Sequence, residues 1–319
     1  MTKPPMISVI VAAYNAERTV GDALASVLFQ SYPDFEILVC DDASSDATAR
    51  VVAGIADSRV RLLFNMENSG PGPSRDRAIS HARGRWITFL DTDDQFAPGR
   101  LETMLQVAEN YPDDIIADGV VDCHDTPNGL IPWRVVWGDR YPVARSSPPY
   151  RINLAEFVAS DRTLIKPFLR KDLALFLRAS HGTKSSGEDV AFLLPFFAHG
   201  SVIRYIPKPL YYYRLTPGSL SSSRPDRHTQ YREVFETALT LFSHAPIAAA
   251  AIQAKIESIR RQETYQIFYD ALRAGRLVAV WAMINKDAWL IPEFVRRVIG
   301  RIPFHLHRIL HNGVHRRVG

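Results

Sequence analysis

The sequence contains little cysteine, and this limits the classes of protein to which it can belong. Among 319 residues there are two cysteines, Cys40 and Cys123, which cannot form a disulfide framework. Neither has histidine partners at the spacing of a zinc site. We therefore expect a protein of a reducing compartment.

Long apolar runs are also absent. The longest stretch without a charged residue, 237–254, contains His244, Pro246 and mostly small side chains, so it lacks the roughly 20 strongly apolar residues of a spanning helix. The apolar run at 7–13 has no basic start or small-residue cleavage site, so we expect no signal peptide. With 46% hydrophobic and 23% charged residues, the composition excludes disorder, collagen and coiled coil.

Positive charge is concentrated in one segment. The net charge is +4, yet residues 290–319 carry six arginines and one acidic residue, Glu293. A nucleic-acid-binding surface spreads its cations over the fold, so we expect no nucleic-acid partner. In the same segment the apolar residues that recur at helical spacing favour an amphipathic helix on an anionic membrane surface; they are Ile291, Phe294, Val295, Val298, Ile299 and Ile302. Alternatively, this stripe packs on residues 231–289 and the arginines face water.

Strand and helix patterns alternate over the first 110 residues. The β-branched and apolar runs predict strands at 7–11, 35–40, 60–64 and 86–90, and the helical spacings predict helices at 19–30, 47–55, 74–82 and 101–110. Such alternation predicts an α/β fold, with parallel strands covered by helices and a ligand at the carboxyl ends of the strands.

The remaining chain is less regular. We expect irregular strands and loops at 115–150, a helix near 153–159, a strand near 202–206 and helices from about 228 onward. This organisation predicts an α/β domain at 1–225, a helical region at 226–289 and a basic amphipathic tail at 290–319.

Acidic residues cluster after three predicted elements. Asp41–Asp42 follows the second strand, Asp91–Asp94 follows the fourth, and Glu188–Asp189 comes about a hundred residues later. Taken singly, each cluster is a turn or a helix cap. Taken together, carboxylates that converge on one cleft favour a hard cation such as Mg²⁺ or Mn²⁺, with a phosphorylated ligand.

These motifs resemble a known family, the bacterial family 2 glycosyltransferases of the nucleotide-diphospho-sugar transferase (GT-A) fold, which has a Rossmann-like mixed sheet. The resemblance covers about residues 6–220 and is carried by residues 7–15 (ISVIVAAYN), 41–46 (DDASSD), 74–77 (SRDR), 84–94 (GRWITFLDTDD), 187–189 (GED) and 211–214 (YYYR). Within the family the chain is most similar to transferases of succinoglycan-type exopolysaccharide synthesis.

The resemblance implies a role for each acidic block. Ala12, Tyr14 and Asp42 would hold the uracil of a UDP-sugar, with Tyr14 stacking and Asp42 accepting from the base. Asp91 would face the ribose or a metal-bound water, and Asp93 would ligate Mg²⁺ or Mn²⁺. For Asp94, capping the following turn and a functional role stay equally open.

Asp189 occupies the position of the family's catalytic base. A sugar hydroxyl needs a carboxylate to take its proton, and one base suffices for a single displacement that inverts the anomeric centre. A retaining double displacement would need a second carboxylate as nucleophile. Glu188 either orients Asp189 or caps the helix that follows.

Arginines are candidates for contact with the donor diphosphate because guanidinium groups match phosphate oxygens. Arg75 or Arg77, and Arg214, are the candidates, with a surface ion pair as the alternative for each. The family often has Asn after this first arginine, whereas Asp76 stands here. His181 is expected to be a hydrogen-bonded or surface histidine rather than a metal ligand.

The sequence thus predicts a metal-dependent inverting glycosyltransferase that uses UDP-glucose and a lipid-linked oligosaccharide acceptor at the inner face of the cell membrane. A nucleotidyltransferase acting on a sugar phosphate is the alternative enzyme, although residues 12–16 lack the Gly-rich basic loop that binds a triphosphate. A catalytically silent nucleotide-sugar-binding protein is the other alternative.

Overall fold

The structure is a computed structural model that describes residues 3–126, 129–137, 149–160, 165–184, 186–215 and 227–299. Within these ranges the sheet has ten strands. They are β1 (Ile7–Ala13), β2 (Phe35–Asp41), β3 (Val60–Phe64), β4 (Trp86–Phe89), β5 (Gln95–Phe96), β6 (Ile115–Thr126), β7 (Gly129–Trp137), β8 (Tyr150–Ile152), β9 (Phe168–Arg170) and β10 (Ile203–Arg214).

Helices cover the sheet and continue beyond it. They are α1 (Val20–Leu28), α2 (Thr48–Ala53), α3 (Pro71–His81), α4 (Arg100–Ala108), α5 (Leu154–Ala159), α6 (Lys171–Phe176), α7 (Glu188–His199), α8 (Arg227–Ala238), α9 (Pro246–Arg273), α10 (Leu277–Lys286) and α11 (Leu290–Ile299), with a 3₁₀ turn at Leu239–Phe242. The amphipathic spacing of α1 buries Val20, Ala23, Leu24 and Val27, as the sequence predicts.

The strands form one mixed sheet in the order β3-β2-β1-β4-β9-β6-β10-β5, with β7 paired to β6 and β8 paired to β10. Strands β1, β2, β3 and β4 are parallel, and β9 runs antiparallel to both β4 and β6. Strands β6 and β10, which are parallel to each other, therefore run in the direction of β4. The carboxyl ends of β1, β2, β4, β6 and β10 meet at one edge, so the α/β prediction is confirmed in a mixed form.

The prediction of irregular structure over 115–150 was wrong for its first part. Strand β6 extends over twelve residues and pairs with β7 as a hairpin. Its polar residues interrupt the apolar pattern, but Asp118 is buried against Arg100 and Asp122 is paired with Arg134. Because ion pairs satisfy these carboxylates, the strand stays buried despite its sequence.

The strand predicted near 202–206 is longer than expected and ends at Arg214. Two prolines, Pro207 and Pro209, obscure its pattern, and the ladder shifts register around Pro209. Proline is tolerated in a strand at such irregularities because it donates no ladder hydrogen bond. The extension brings Tyr211 and Arg214 to the edge where β4 ends.

The chain divides into two compact units, residues 1–256 and residues 257–319. The second unit has its own small core of Tyr265, Phe268, Ala271, Val280 and Leu290. In the part of the chain that the structure describes, no helix combines the length and the apolar character needed to cross a membrane. The domain boundaries predicted at 225 and 289 stay predictions.

Candidate active site

The carboxyl ends of β1 and β2 bring the predicted nucleotide-binding residues to one edge. Ala12 lies near the end of β1, and Tyr14 follows the strand with half of its side chain exposed. Asp42 directly follows β2, and its backbone N–H donates to the carbonyl of Ala13 at 2.8 Å. The edge therefore presents an exposed aromatic ring near a buried carboxylate.

Neutral donors surround the Asp42 carboxylate. Oδ1 accepts from Asn65 Nδ2 at 2.6 Å and from the backbone and hydroxyl of Ser69 at 3.1 and 3.2 Å, and Oδ2 accepts from Gly70 N at 2.8 Å. Burial acts to raise the pKa of Asp42, but these hydrogen bonds outweigh it and lower the pKa. Asp42 is thus a fixed, ionised acceptor.

A hydrogen bond connects this pocket to helix α3. Asn65 Nδ2 also contacts the hydroxyl of Ser74 at 2.9 Å, one residue before Arg75. The helix begins after Gly70, whose φ of 92° is a left-handed conformation that favours glycine, and Pro71 occupies its first turn. The loop that caps Asp42 therefore also sets the direction in which Arg75 leaves the helix.

Two buried cations bridge two carboxylates at the centre of the edge. Arg75 donates to Asp91 Oδ1 at 2.8 Å and to Asp189 Oδ1 at 3.1 Å, and Lys166 Nζ donates to Asp91 Oδ2 at 2.6 Å and to Asp189 Oδ2 at 3.5 Å. We call Arg75, Asp91, Lys166 and Asp189 the charge square. Glu188 lies beside it, with Oε1 3.5 Å from Arg75.

The charge square keeps its members ionised. Burial acts to raise the pKa of Asp91 and of Asp189, but Lys166 and Arg75 outweigh it and hold both pKa values below their ordinary range. Burial acts in the opposite direction on the two cations, yet the carboxylates raise the pKa of each. Glu188 differs, since burial and the charge of Asp189 raise its pKa.

Close backbone packing brings the parts of the square together. A Cβ on Gly72, in the first turn of α3, would lie 2.3 Å from the carbonyl oxygen of Gly182, so only glycine permits this approach. Gly187, with a φ of 85°, then starts α7, whose first turn carries Glu188 and Asp189. Helix N-termini stabilise negative charge, which suits both carboxylates.

Asp93 and Asp94 follow Asp91 but differ from it. Asp94 is buried, accepts from the Tyr211 hydroxyl at 2.7 Å and accepts from Arg214 N at 2.9 Å. It therefore joins the turn after β4 to strand β10, and a functional role for Asp94 stays a prediction. Among the described residues, none donates a side-chain hydrogen bond to Asp93, and burial together with the charge of Asp91 raises its pKa.

Asp93 fits a cation ligand, because none of the described side chains forms an ion pair or a hydrogen bond with its carboxylate. Both oxygens of Asp91 are already held by cations, so Asp91 is suited to contact a bound water rather than a metal. Within the described ranges, no three His, Cys, Asp or Glu side chains converge to hold a metal ion by themselves. A cation at Asp93 would therefore need further oxygen ligands from a bound donor and water.

Arg214 contacts the turn after β4 that carries Asp93. Its Nε donates to the backbone carbonyl of Asp93 at 2.7 Å, and its guanidinium pairs with Asp125. Arg75 is buried in the charge square, whereas Arg77 is exposed. For Arg75 and Arg214, contact with a diphosphate stays a prediction.

Asp76, which stands where the family often has Asn, is hydrogen-bonded to His181. Its carboxylate accepts from the backbone N–H of His181 at 3.1 Å, pairs with His181 Nδ1 at 2.7 Å and accepts from the Ser180 hydroxyl at 2.6 Å. Burial lowers the pKa of His181, whose ring stacks on Phe192 at 4.3 Å. His181 is thus hydrogen-bonded, which is one of the two roles expected for it, and it is buried rather than on the surface.

Sequence reasoning missed Lys166, Asn65 and Tyr211 as parts of this site. Lys166 carried a signal, because it interrupts an apolar stretch between Ile165 and Phe168. A lysine that is 3% exposed requires partners, and both of its partners are remote in sequence. Asn65 carried no comparable signal, whereas Tyr211 belongs to the 211–214 motif of the family resemblance, which assigned it no role.

Comparison with known proteins identifies the family. Residues 8–155 match the family model described as glycosyl transferase family 2. The succinoglycan biosynthesis protein ExoO of Rhizobium meliloti is 43% identical over 118 residues, which cover 37% of this chain and 34% of that protein. The β-1,3-glucosyltransferase WfgD of Escherichia coli, named for UDP-Glc and α-D-GlcNAc-diphosphoundecaprenol, is 42% identical over 102 residues, 32% of this chain and 40% of WfgD.

The matched segment spans well under half the length of these curated relatives. Among solved structures, residues 1–349 of Staphylococcus aureus TarS in complex with UDP-GlcNAc align with a TM-score of 0.64 at 20% identity, covering 80% of this chain and 71% of that one. This similarity confirms the GT-A-type fold. The chain therefore contains a glycosyl transferase family 2 domain.

Proposed function

We propose that this protein is a metal-dependent, inverting glycosyltransferase that moves glucose from UDP-glucose onto a hydroxyl of a lipid-linked oligosaccharide in exopolysaccharide assembly. The observation that carries the proposal is the charge square. It holds two ionised carboxylates, Asp91 and the proposed base Asp189, at the same sheet edge as the Asp42 pocket. A glycosyl transfer needs these groups together because the base, the donor sugar and the nucleotide must meet in one cleft.

The donor assignment is supported by the chemistry of the Asp42 pocket. An ionised acceptor beside an exposed Tyr14 ring suits a base that offers an N–H and a flat face. The TarS structure is titled as a complex with UDP-GlcNAc, and WfgD is named as a UDP-Glc transferase. These relatives support a UDP-sugar, and glucose is our choice among the hexoses.

The metal proposal rests on Asp93. Its pKa is raised by burial and by the charge of Asp91, so a divalent cation would relieve an unbalanced charge there. When bound, Mg²⁺ or Mn²⁺ would neutralise charge that develops on the departing UDP. Asp93 would hold the ion directly, and Asp91 would contact its water.

Asp189 is proposed as the base that takes the proton of the acceptor hydroxyl. Its two oxygens face different cations, which fixes the plane of the carboxylate. Asp189 alone is assigned to act on the acceptor hydroxyl, and no second carboxylate is assigned as a nucleophile, so a single displacement with inversion is favoured. In this step the hydroxyl oxygen bonds to the anomeric carbon, the bond to UDP breaks, and the proton moves to Asp189.

Peripheral association with the cell membrane is supported by helix α11. Leu290 and Phe294 pack in the core of the second unit, whereas Ile291, Val295 and Val298 are each nearly half exposed. An apolar strip of this kind beside arginines suits an anionic lipid surface, where each Arg contributes about 1 kcal/mol. Residues 300–319 of the predicted tail lie outside the described residues.

The inner face of the membrane is the proposed location. Cys40 and Cys123 are both buried and unpaired, which suits a reducing compartment. A lipid-linked acceptor would be presented at the same surface, so that membrane association and acceptor binding would serve one reaction.

The proposal is tested by supplying the purified protein with a panel of UDP-sugars, Mn²⁺ and a lipid-linked disaccharide, and by measuring UDP release and the anomeric configuration of the product. We expect transfer from UDP-glucose with inversion, and loss of transfer with EDTA. Pyrophosphate release from a nucleoside triphosphate and a sugar phosphate would instead identify a nucleotidyltransferase. Binding of UDP-sugars without turnover of any acceptor would identify a silent binder.

A further inference from the structure

Lys166 is the one member of the charge square to which the sequence assigns no role. Its Nζ lies 2.6 Å from Asp91 Oδ2 and 3.5 Å from Asp189 Oδ2. The side chain is 3% exposed and comes from the short segment that precedes β9. A buried ammonium loses its hydration, so its place must be fixed by strong partners.

A second, fully buried ion pair holds the segment that carries Lys166. Arg100 Nη2 donates to the backbone carbonyl of Lys166 at 2.8 Å, while its Nε and Nη2 donate to Asp118 at 2.8 and 2.9 Å. Arg100 also contacts the Thr88 hydroxyl of β4 at 3.2 Å. The backbone of Lys166 is therefore tied to β4 and β6, and the position of its side chain does not depend on a surface loop alone.

The two cations act on different oxygens of the same carboxylate. Arg75 contacts Asp189 Oδ1, and Lys166 contacts Asp189 Oδ2. One cation alone would leave the carboxylate free to rotate about its Cβ–Cγ bond, whereas two on opposite oxygens fix its plane. Arg75 also contacts Glu188, so its charge is shared among three carboxylates and Lys166 is the second cation the arrangement needs.

We propose that Lys166 is a positioning residue that, together with Arg75, orients Asp189 for proton abstraction and keeps it ionised. The proposal rests on the proposed function, because it assigns Lys166 a role in a reaction whose base is Asp189. Lys166 itself touches neither the acceptor proton nor the leaving group in this account, and it acts through the carboxylate.

The groups that face Asp189 determine how its ionisation responds to the loss of Lys166. These charged and titratable neighbours are Lys166, Arg75, Asp91, Glu188 and His181. Without Lys166, Arg75 and the smaller contribution of His181 oppose burial and the charges of the two neighbouring carboxylates. The pKa of Asp189 is therefore expected to rise, since an opposite charge within 4–6 Å lowers a carboxyl pKa by about 1–3 units.

The test compares Lys166→Met, Lys166→Arg and Lys171→Met with wild type. Lys171 is the matched control, because its Nζ donates to the carbonyl of Ala82 rather than to a carboxylate. The log of kcat/KM is measured from about pH 3 to pH 9, because the acidic limb reports the base of the free enzyme and the lowered pKa of Asp189 places that limb at the acidic end of the range. Carbon-13 NMR titration of the Asp carboxylates, with Asp189→Asn for assignment, measures the same pKa without turnover.

For Lys166→Met we expect the acidic limb and the Asp189 resonance to move up by about 1–3 pH units, and the plateau of kcat to fall by about 10- to 100-fold. Lys166→Arg should restore the limb, and Lys171→Met should leave it unchanged. An unchanged limb and resonance, with activity that falls only in proportion to a lower melting temperature, would overturn the proposal.

Two further comparisons keep the result decisive. If Lys166→Met does not fold, Lys166→Gln replaces it, since a neutral amide can still donate to Asp91. If wild type transfers no sugar, the proposed function fails, while the NMR titration still decides whether Lys166 controls Asp189. If wild type is active and the titration does not move, the Lys166 proposal fails alone.

Discussion

The two units of the molecule differ in where their charged side chains lie. In residues 1–256 charged groups are buried and paired, as with Arg100 and Asp118, both fully buried. In the described part of the second unit, large apolar side chains such as Trp281, Val278 and Ile291 are exposed. Burying a charge is costly unless its partners are fixed, so the first unit depends on geometry. Exposed apolar groups mark a surface that meets a partner only where they form a contiguous strip, as we propose for Ile291, Val295 and Val298 of α11.

Within the first unit, two carboxylates differ in the kind of partner that holds them. Asp42 is held by neutral donors from Asn65, Ser69 and Gly70, whereas Asp189 is held by two cations. Neutral donors suit a group that only binds, because each one contributes modestly. Cations suit a group whose charge takes part in the reaction. Substitutions at the two places should therefore differ in size and in kind.

The largest expected effect is that of Asp189→Asn. The amide keeps the shape of the side chain but cannot take a proton, so transfer should fall by about 10²–10⁴-fold, the usual range for a lost general base. The affinity for UDP-sugar should stay within a few-fold of wild type by calorimetry. Asp172→Asn, at an exposed pair with Arg170, is the matched control. Parallel loss of donor binding and transfer would make Asp189 a donor-site residue and Glu188 the next candidate for the base.

Asp93→Asn should come second. The substitution removes the charge for which the described residues supply no partner, so Mn²⁺ affinity in the presence of UDP should fall by roughly 100-fold, corresponding to a few kcal/mol of lost metal binding. Calorimetric titration of Mn²⁺ against both proteins measures the change. Equal metal affinity together with unimpaired turnover would contradict a metal role for Asp93.

Much of the fold could be predicted because its information is local. The β-branched run of β1 and the helical spacing of α1 indicate which of their residues are buried. The alternation of strands and helices indicates a core of parallel strands. Strand β6 could not be recognised in this way. Its Asp118 looks like a loop residue until its partner Arg100 is known, and the burial of that pair is visible only in three dimensions.

In the candidate site, too, residues within short motifs were predicted, whereas residues that depend on distant partners were missed. Asp91 and Asp189 were predicted as site residues through the family resemblance, and the structure brings them to the same two cations. Lys166 was missed because it lies 75 residues from Asp91 and 23 from Asp189, so no short motif contains the pair. Asp94 has a partner, Tyr211, that becomes visible only once β10 is seen to extend beyond its prolines.

A smaller effect is expected in the Asp42 pocket, where the hydrogen-bond donors are neutral. Asn65→Ala removes one donor from Asp42, so UDP affinity should fall by about 10-fold, the typical value for one hydrogen bond to a charged group. Turnover at saturating donor should stay near that of wild type. Because this donor helps to lower the pKa of Asp42, the variant should also lose UDP affinity at a higher pH than wild type as the solution is acidified. Calorimetry at several pH values tests both points, and a drop in turnover at saturation would show that the Asp42 pocket and the charge square are not independent.

The smallest effect on chemistry, and the sharpest test of the contrast between units, is expected from helix α11. Removing the whole tail would also remove Leu290 and Phe294 from the core of the second unit, so single substitutions are preferable. Val295→Asp places a charge on the exposed strip and should weaken binding to phosphatidylglycerol vesicles by about 5-fold or more in low salt, because it removes apolar contact and adds repulsion. Hydrolysis of the donor should be unchanged, since every proposed catalytic residue precedes residue 215.

Phe29→Asp is the matched control, because Phe29 is an equally exposed or more exposed apolar residue of the first unit and belongs to no proposed site. It should bind vesicles as wild type does. Binding of wild type to vesicles should weaken as salt screens the arginines. The binding that persists at high salt should come from the apolar strip, and Val295→Asp should remove it. If Val295→Asp and wild type sediment equally with vesicles, the exposed strip has a different partner and the membrane assignment fails, while the predictions for Asp189 and Asp93 are unaffected.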